Sequence, residues 1–144
     1  MMKIKNKLVL VTGASSGMGE GIARAVAKAS GRLVLLARNQ VELDRVAGLI
    51  QAMGGEAHAF LVDLKDADAV ATVAAQIMQQ LGTPDIVINN AGAGKWRFVD
   101  ETTPAEAVEM MAVPYFATLV FANAGLLAKY FLMPLKIEPT NLSW

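Results

Sequence analysis

Thr12-Gly13-Ala14-Ser15-Ser16-Gly17-Met18-Gly19 stands between an apolar run at residues 8–11 and an Ala-rich stretch at residues 21–29. A strand, a glycine turn and a helix in that order leave the first N–H groups of the helix without partners, at the end where its dipole is positive. Such an end accepts a phosphate or pyrophosphate. Gly13 and Gly17 let the backbone turn and approach the anion, and Gly19 lets the helix lie close to the sheet. The bland alternative is a glycine turn that merely connects two elements. Its place inside a strand, turn, helix, strand unit favours the anion site.

Working outward, the apolar runs at residues 8–11, 33–36, 57–62 and 86–88 are short and bounded by turn residues, as buried strands are. Helical periodicity fills the gaps at 17–30, at 41–53 with apolar Leu43, Val46, Ala47 and Ile50, and at 67–81 with apolar Val70, Val73, Ala74 and Ile77. Strands this apolar leave neither face wet. Their alternation with helices predicts an α/β fold, a three-layer Rossmann-type parallel sheet with right-handed crossovers and strand order 3-2-1-4.

A fourth helix is expected from Pro104, capped by Thr102-Thr103, with Glu106 in its first turn, running to about Tyr130. Pro114 lacks a donor and should kink it. Pro139 and Asn141 mark turns in the closing stretch, which offers no fifth strand. The predicted organisation is therefore an incomplete Rossmann domain over residues 1–128 and an irregular tail over 129–144. The edge at Ile86-Val87-Ile88 is expected to lie exposed and to invite a homo-oligomer or a complementary chain.

Composition narrows the partners. The 144 residues are 54% hydrophobic, and 13 basic side chains balance 13 acidic ones, so no basic field exists to hold nucleic acid or an anionic membrane. With no cysteine, thiolate nucleophiles, disulfides and Cys-based metal sites are excluded. The basic N-terminus is followed by an apolar run too short for a membrane span, and a cytoplasmic location is expected. His58, alone and entering a strand, is read as structural, and no metal site is predicted.

TGxxxGxG at residues 12–19, with Asn89-Asn90-Ala91-Gly92 after the fourth apolar run, resembles the short-chain dehydrogenase/reductase family, specifically its N-terminal NAD(P)-binding portion. The resemblance implies that Ser15, Ser16 and the backbone around Met18 line the pyrophosphate. It also implies that Thr12 ties the turn to the Asn-Asn-Ala-Gly segment. Asp63-Leu64 matches the family's adenine-binding pair; the other reading of Asp63 is a helix cap. Asn89 can brace the strand ends, Ala91-Gly92 leaves room for a sugar, and Asn90 is expected to frame the cofactor's ribose side.

Ala37-Arg38-Asn39 lies 24 to 26 positions after Gly13, where the chain should meet the adenine ribose. An acid there would accept from the 2′-OH and mark NAD. Arg38 instead offers a planar charged donor suited to a 2′-phosphate, and in the family such an arginine goes with NADP. A solvated surface charge is the competing reading. The cofactor expected is NADP rather than NAD.

The family's reaction is hydride transfer between a carbonyl and an alcohol, with a Tyr-x-x-x-Lys pair and a serine. Tyr115 is followed four residues on by Leu119, and Tyr130 by Pro134, so neither tyrosine has that lysine. A nearby cation is what brings a phenol of pKa about 10 towards use near neutrality. The family's asparagine in the helix after Asn-Asn-Ala-Gly falls on Pro114. No catalytic residue is assigned. The expected function is the NADP(H)-binding portion of a short-chain oxidoreductase, catalytically incompetent alone; a non-catalytic nucleotide-binding or protein-interaction module is the alternative. Trp96, Arg97 and Phe98 follow the cofactor turn, and the readings open for them are the border of a pocket, an interface or a satellite core.

Overall fold

A computed structural model describes residues 4–92, 102–116, 118–119, 121 and 130–132. Strand β1 (Leu8–Thr12) leads to α1 (Gly17–Lys28), β2 (Arg32–Ala37), α2 (Gln40–Ala52), β3 (Glu56–Leu61), α3 (Ala67–Leu81) and β4 (Ile86–Ile88). Helix α4 (Pro104–Met111) runs into a π-helical turn at Ala112–Phe116, and β5 (Tyr130–Leu132) follows. All pairings are parallel, in the order β3-β2-β1-β4-β5. The 3-2-1-4 core is the one the sequence predicts, in a three-layer Rossmann arrangement.

Alternation along the strands builds two cores. Val9, Val11, Leu33, Leu35 and Ile86 face one side, where Ala23 and Val26 of α1 and Leu43, Val46 and Ile50 of α2 cover them. Leu8, Leu10, Val34, Leu36 and Val87 face the other, under Val70, Val73, Ala74 and Ile77 of α3 and the buried Phe121. Each Val, Leu, Ile or Phe among them contributes about 1.5–3 kcal/mol of transfer free energy, so covering both faces is what closes the layers. At the entry to the sheet, Asp85 accepts from Lys7 Nζ at 2.8 Å and from the Leu8 backbone N–H at 2.9 Å, clamping the start of β4 against that of β1.

The sequence expectations are corrected at three points. First, the β4 edge is not exposed: Ile86, Val87 and Ile88 pair with Tyr130, Phe131 and Leu132. Any pairing surface through Ile86–Ile88 is thereby removed. Second, β5 lies within the segment 129–144 expected to be irregular, and Tyr130 opens a strand rather than ending a helix. Third, β3, at the edge of the sheet as the order 3-2-1-4 implies, is not a buried strand but half-exposed along most of its length, with Leu61 50% accessible, because it has a neighbouring strand on one side only.

The expected disruption at Pro114 takes a definite form. Pro114 sits within the π-helical turn, and its carbonyl accepts from Thr118 Oγ1 at 2.8 Å. Upstream, Thr103 and Glu106 make a capping box: Thr103 Oγ1 accepts from the Glu106 N–H at 3.3 Å, and Glu106 Oε2 accepts from the Thr103 N–H at 3.1 Å. Among the described residues no helix is long and apolar enough to cross a membrane.

Candidate functional site

The carboxyl ends of β1, β2, β3 and β4 open onto a cavity of about 640 Å³, within the range that takes a cofactor. Its floor is the glycine turn. Gly13 has φ +64°, a left-handed conformation costly to other residues, and a Cβ there would stand 2.9 Å from Ala91 Cα. A Cβ on Gly19 would overlap the carbonyl oxygen of Gly13 and approach Asn90 Nδ2 to 2.6 Å. Only glycine lets the start of α1 nest this closely against the turn and the residues after β4.

Ser16 is the N-cap of α1, in extended conformation, and its side chain makes no capping bond. The positive end of the helix therefore faces the cavity with backbone donors rather than a satisfied cap. Thr12, almost wholly buried, accepts through Oγ1 from the N–H groups of both Asn90 and Ala91, each at 3.0 Å. Asn90 Nδ2 returns to the carbonyls of Thr12 at 3.3 Å and Gly13 at 3.4 Å. The turn after β1 and the segment after β4 are thus one hydrogen-bonded unit.

Of the residues singled out from sequence, Gly13, Ser15, Ser16, Gly17 and Met18 line the cavity, as do Arg38, Asp63, Leu64, Asn90, Ala91 and Gly92. Thr12, Gly19 and Asn89 stand behind it. Asn89 is buried and donates through Nδ2 to Thr118 Oγ1 at 2.7 Å, so its bracing partner is the helical segment after α4. Asp63 does not cap α3; it accepts from the Lys65 N–H at 3.0 Å, and Asp66 is the cap, accepting from Ala69. Trp96, Arg97 and Phe98 lie outside the described residues.

Sequence reasoning missed Val62 and Val113 in the lining, and although it placed Ala37 and Asn39 at the adenine ribose it gave neither a role. Asn39 had a signal: its Oδ1 caps α2 by accepting from the Glu42 N–H at 3.2 Å. Val113 had none, since it reaches the cavity only through the π-helical turn.

Electrostatically, Arg38 is exposed at the cavity and makes no ion pair among the described residues. Beside the turn, Arg45 of α2 donates to Glu20 of α1 at 2.7 Å, to Glu42 at 2.8 Å and to the Ser15 carbonyl at 3.4 Å. The Arg45 hydrogen bond holds the Glu20 carboxyl below its usual range. No cluster of three His, Cys, Asp or Glu side chains suited to a metal occurs among the described residues.

The model of short chain dehydrogenases matches residues 7–131. This chain belongs to that family. Among its relatives, an uncharacterised oxidoreductase of Mycobacterium bovis is 48% identical over 92 residues, covering 62% of this chain and 27% of that protein. A fatty acyl-CoA reductase of Acinetobacter baylyi is 41% identical over 99 residues, covering 69% and 34%. A metagenomic short-chain oxidoreductase solved in complex with NADP superposes with a TM-score of 0.76 at 35% identity, covering 85% of this chain and 56% of that one. The chain thus spans about a third or less of these two curated relatives. Within the family's frame, the described cavity lies where strand ends and the first helix N-terminus meet.

Proposed function

We propose that this chain is the NADP(H)-binding portion of a short-chain oxidoreductase that interconverts a carbonyl and an alcohol. The observation that carries this reading is Arg38, placed at the cavity directly after β2 with Ala37 and Asn39 on either side and no acid between them. A guanidinium there suits a 2′-phosphate, whereas NAD recognition calls for a carboxylate. The metagenomic relative complexed with NADP supports the same choice.

The residues present fit the dinucleotide. Backbone donors at Ser15, Ser16, Gly17 and Met18 hold the pyrophosphate, with Gly13 and Gly19 keeping the space that a Cβ would fill. Asp63 and Leu64 meet the adenine, and Asn90, Ala91 and Gly92 the ribose side, while Thr12 and Asn89 fix those segments from behind. When bound, the nicotinamide supplies the hydride. Neither tyrosine in these 144 residues carries a lysine four positions on, so proton transfer by the family's pair is not provided here, and the chain alone is read as binding without turnover. A cytoplasmic setting accords with this role, as do balanced charges that favour neither nucleic acid nor a membrane surface.

Competition titrations of NADPH against NADH test the reading. The parent chain should prefer NADPH, and Arg38→Ala should remove most of that preference, about ten- to hundredfold for a lost charged hydrogen bond. Equal affinities in the parent, or an unchanged ratio in the variant, would overturn it.

A further inference from the structure

The two walls of the cavity belong to different crossover units: the glycine turn and α1 on one side, the residues after β2 and the start of α2 on the other. The charged contact between them is made by Arg45. Its Nη2 donates to Glu20 Oε2 at 2.7 Å and to the Ser15 carbonyl at 3.4 Å, while its Nε donates to Glu42 Oε2 at 2.8 Å. Glu42 is itself the residue whose N–H is capped by Asn39, a lining residue. One guanidinium therefore ties the turn, the first turn of α1 and the cap of α2 together.

Two consequences follow for an anion in the cavity. With no cis peptide among the described bonds, the Ser16 N–H lies antiparallel to the Ser15 carbonyl, so a carbonyl drawn to Arg45 turns that N–H away from Arg45. Glu20, for its part, is a carboxylate in the first turn of the helix whose N-terminus faces the cavity, with its side chain only 17% exposed. Uncompensated, its charge opposes the phosphate groups across a distance that salt screens only in part.

We propose that Arg45 is a positioning residue for the phosphate cradle, holding the Ser15 carbonyl and offsetting the Glu20 carboxylate beside the anion-accepting end of α1. The inference rests on the cofactor reading above for its ligand, but the Ser15 hold is independent of it.

The test compares the full chain with Arg45→Ala, Arg45→Lys, Glu20→Gln and the double variant Glu20→Gln/Arg45→Ala. Amide hydrogen exchange without nucleotide reads the hold, and NADPH dissociation constants at low and high NaCl read the charge offset. Arg45→Ala should speed exchange at Ala14 and Glu20, whose N–H groups donate to the Leu36 and Ser16 carbonyls on either side of the held Ser15, and weaken NADPH by about five- to tenfold at low salt, a deficit that shrinks as salt is added. Glu20→Gln in that background should restore part of the affinity. Arg45→Lys, which keeps the charge without the fork, should fall between the two and guards against a variant that merely unfolds. Unchanged exchange and affinity in Arg45→Ala would overturn the proposal. An affinity loss that neither salt nor Glu20→Gln diminishes would overturn the charge offset. If the parent fails to bind NADPH, the cofactor reading falls, and the exchange data alone decide whether Arg45 holds the turn.

Discussion

Replacing Gly19 by alanine is the sharpest test of how the cavity floor is built. The new Cβ would overlap the Gly13 carbonyl oxygen and crowd Asn90 Nδ2, neither of which is the yielding end of a long side chain. Overpacking of this kind costs about 1–3 kcal/mol. Relief by moving α1 or Asn90 also weakens the two Asn90 hydrogen bonds to the Thr12 and Gly13 carbonyls, each worth about 0.5–1.5 kcal/mol. Alanine returns about 0.8–1.0 kcal/mol of helix propensity. The net expectation is a loss of about 2–4 kcal/mol, a large share of a typical domain's about 5–15 kcal/mol. Urea unfolding should show it as a lower midpoint with little change in slope. Two controls separate sterics from conformation. At Gly21 nothing stands within 4 Å, so alanine there should stabilise by about 0.8–1.0 kcal/mol. At Gly17, with φ +55° and equally open space, alanine should cost about 1–2 kcal/mol through backbone strain alone. If Gly19→Ala proves as stable as Gly21→Ala, the close nesting of α1 against the turn is wrong.

Thr12→Val keeps the shape of the side chain but deletes the oxygen that accepts from Asn90 and Ala91; losing these two part-buried bonds, each worth about 0.5–1.5 kcal/mol, should destabilise by about 1–3 kcal/mol in the same unfolding assay, and a neutral result would deny the link between the turn and the segment after β4. Glu56 has its carboxyl lowered from 4.5 to about 2, first by the hydrogen bond from Arg32 and then by His58. Its stabilising contribution is complete above about pH 4.5 and is lost as pH falls through about 2. Solvent exposure of the pair limits the effect to under about 1 kcal/mol. Glu56→Gln should therefore lower stability near pH 7 by up to about 1 kcal/mol and flatten the acid limb within that window, so that variant and parent converge towards about pH 2; an acid limb identical to the parent's would refute it.

Four strands and three helices are legible in the sequence because each buried strand is apolar on both faces and each helix keeps a 3.6-residue apolar stripe. What pairs across the chain is not legible. Arg45 and Glu20 are 25 residues apart, Asn89 and Thr118 are 29 apart, and no local pattern announces either contact. Tyr130-Phe131-Leu132 is too short a run to distinguish a strand from a continuing helix, so β5 and the covered β4 edge came only with the structure. Pro114 announces an irregularity but not its π-helical form, and with that form went the placing of Val113 in the cavity. Thr12 illustrates the middle case: the family resemblance points to its tie with Asn90 and Ala91, and composition alone would not.

On the function proposed above, a dinucleotide phosphate is held at the carboxyl ends of β1 to β4 with Arg38 at the adenine-ribose side. Backbone amide shifts of the isotopically labelled chain during NADPH titration test it most directly. Saturable changes are expected, concentrated at Gly13, Ser15, Ser16, Gly17, Arg38, Asp63, Ala91 and Gly92, with smaller changes at Arg38 when NADH replaces NADPH. Changes that cluster elsewhere, or none at millimolar nucleotide, would contradict it.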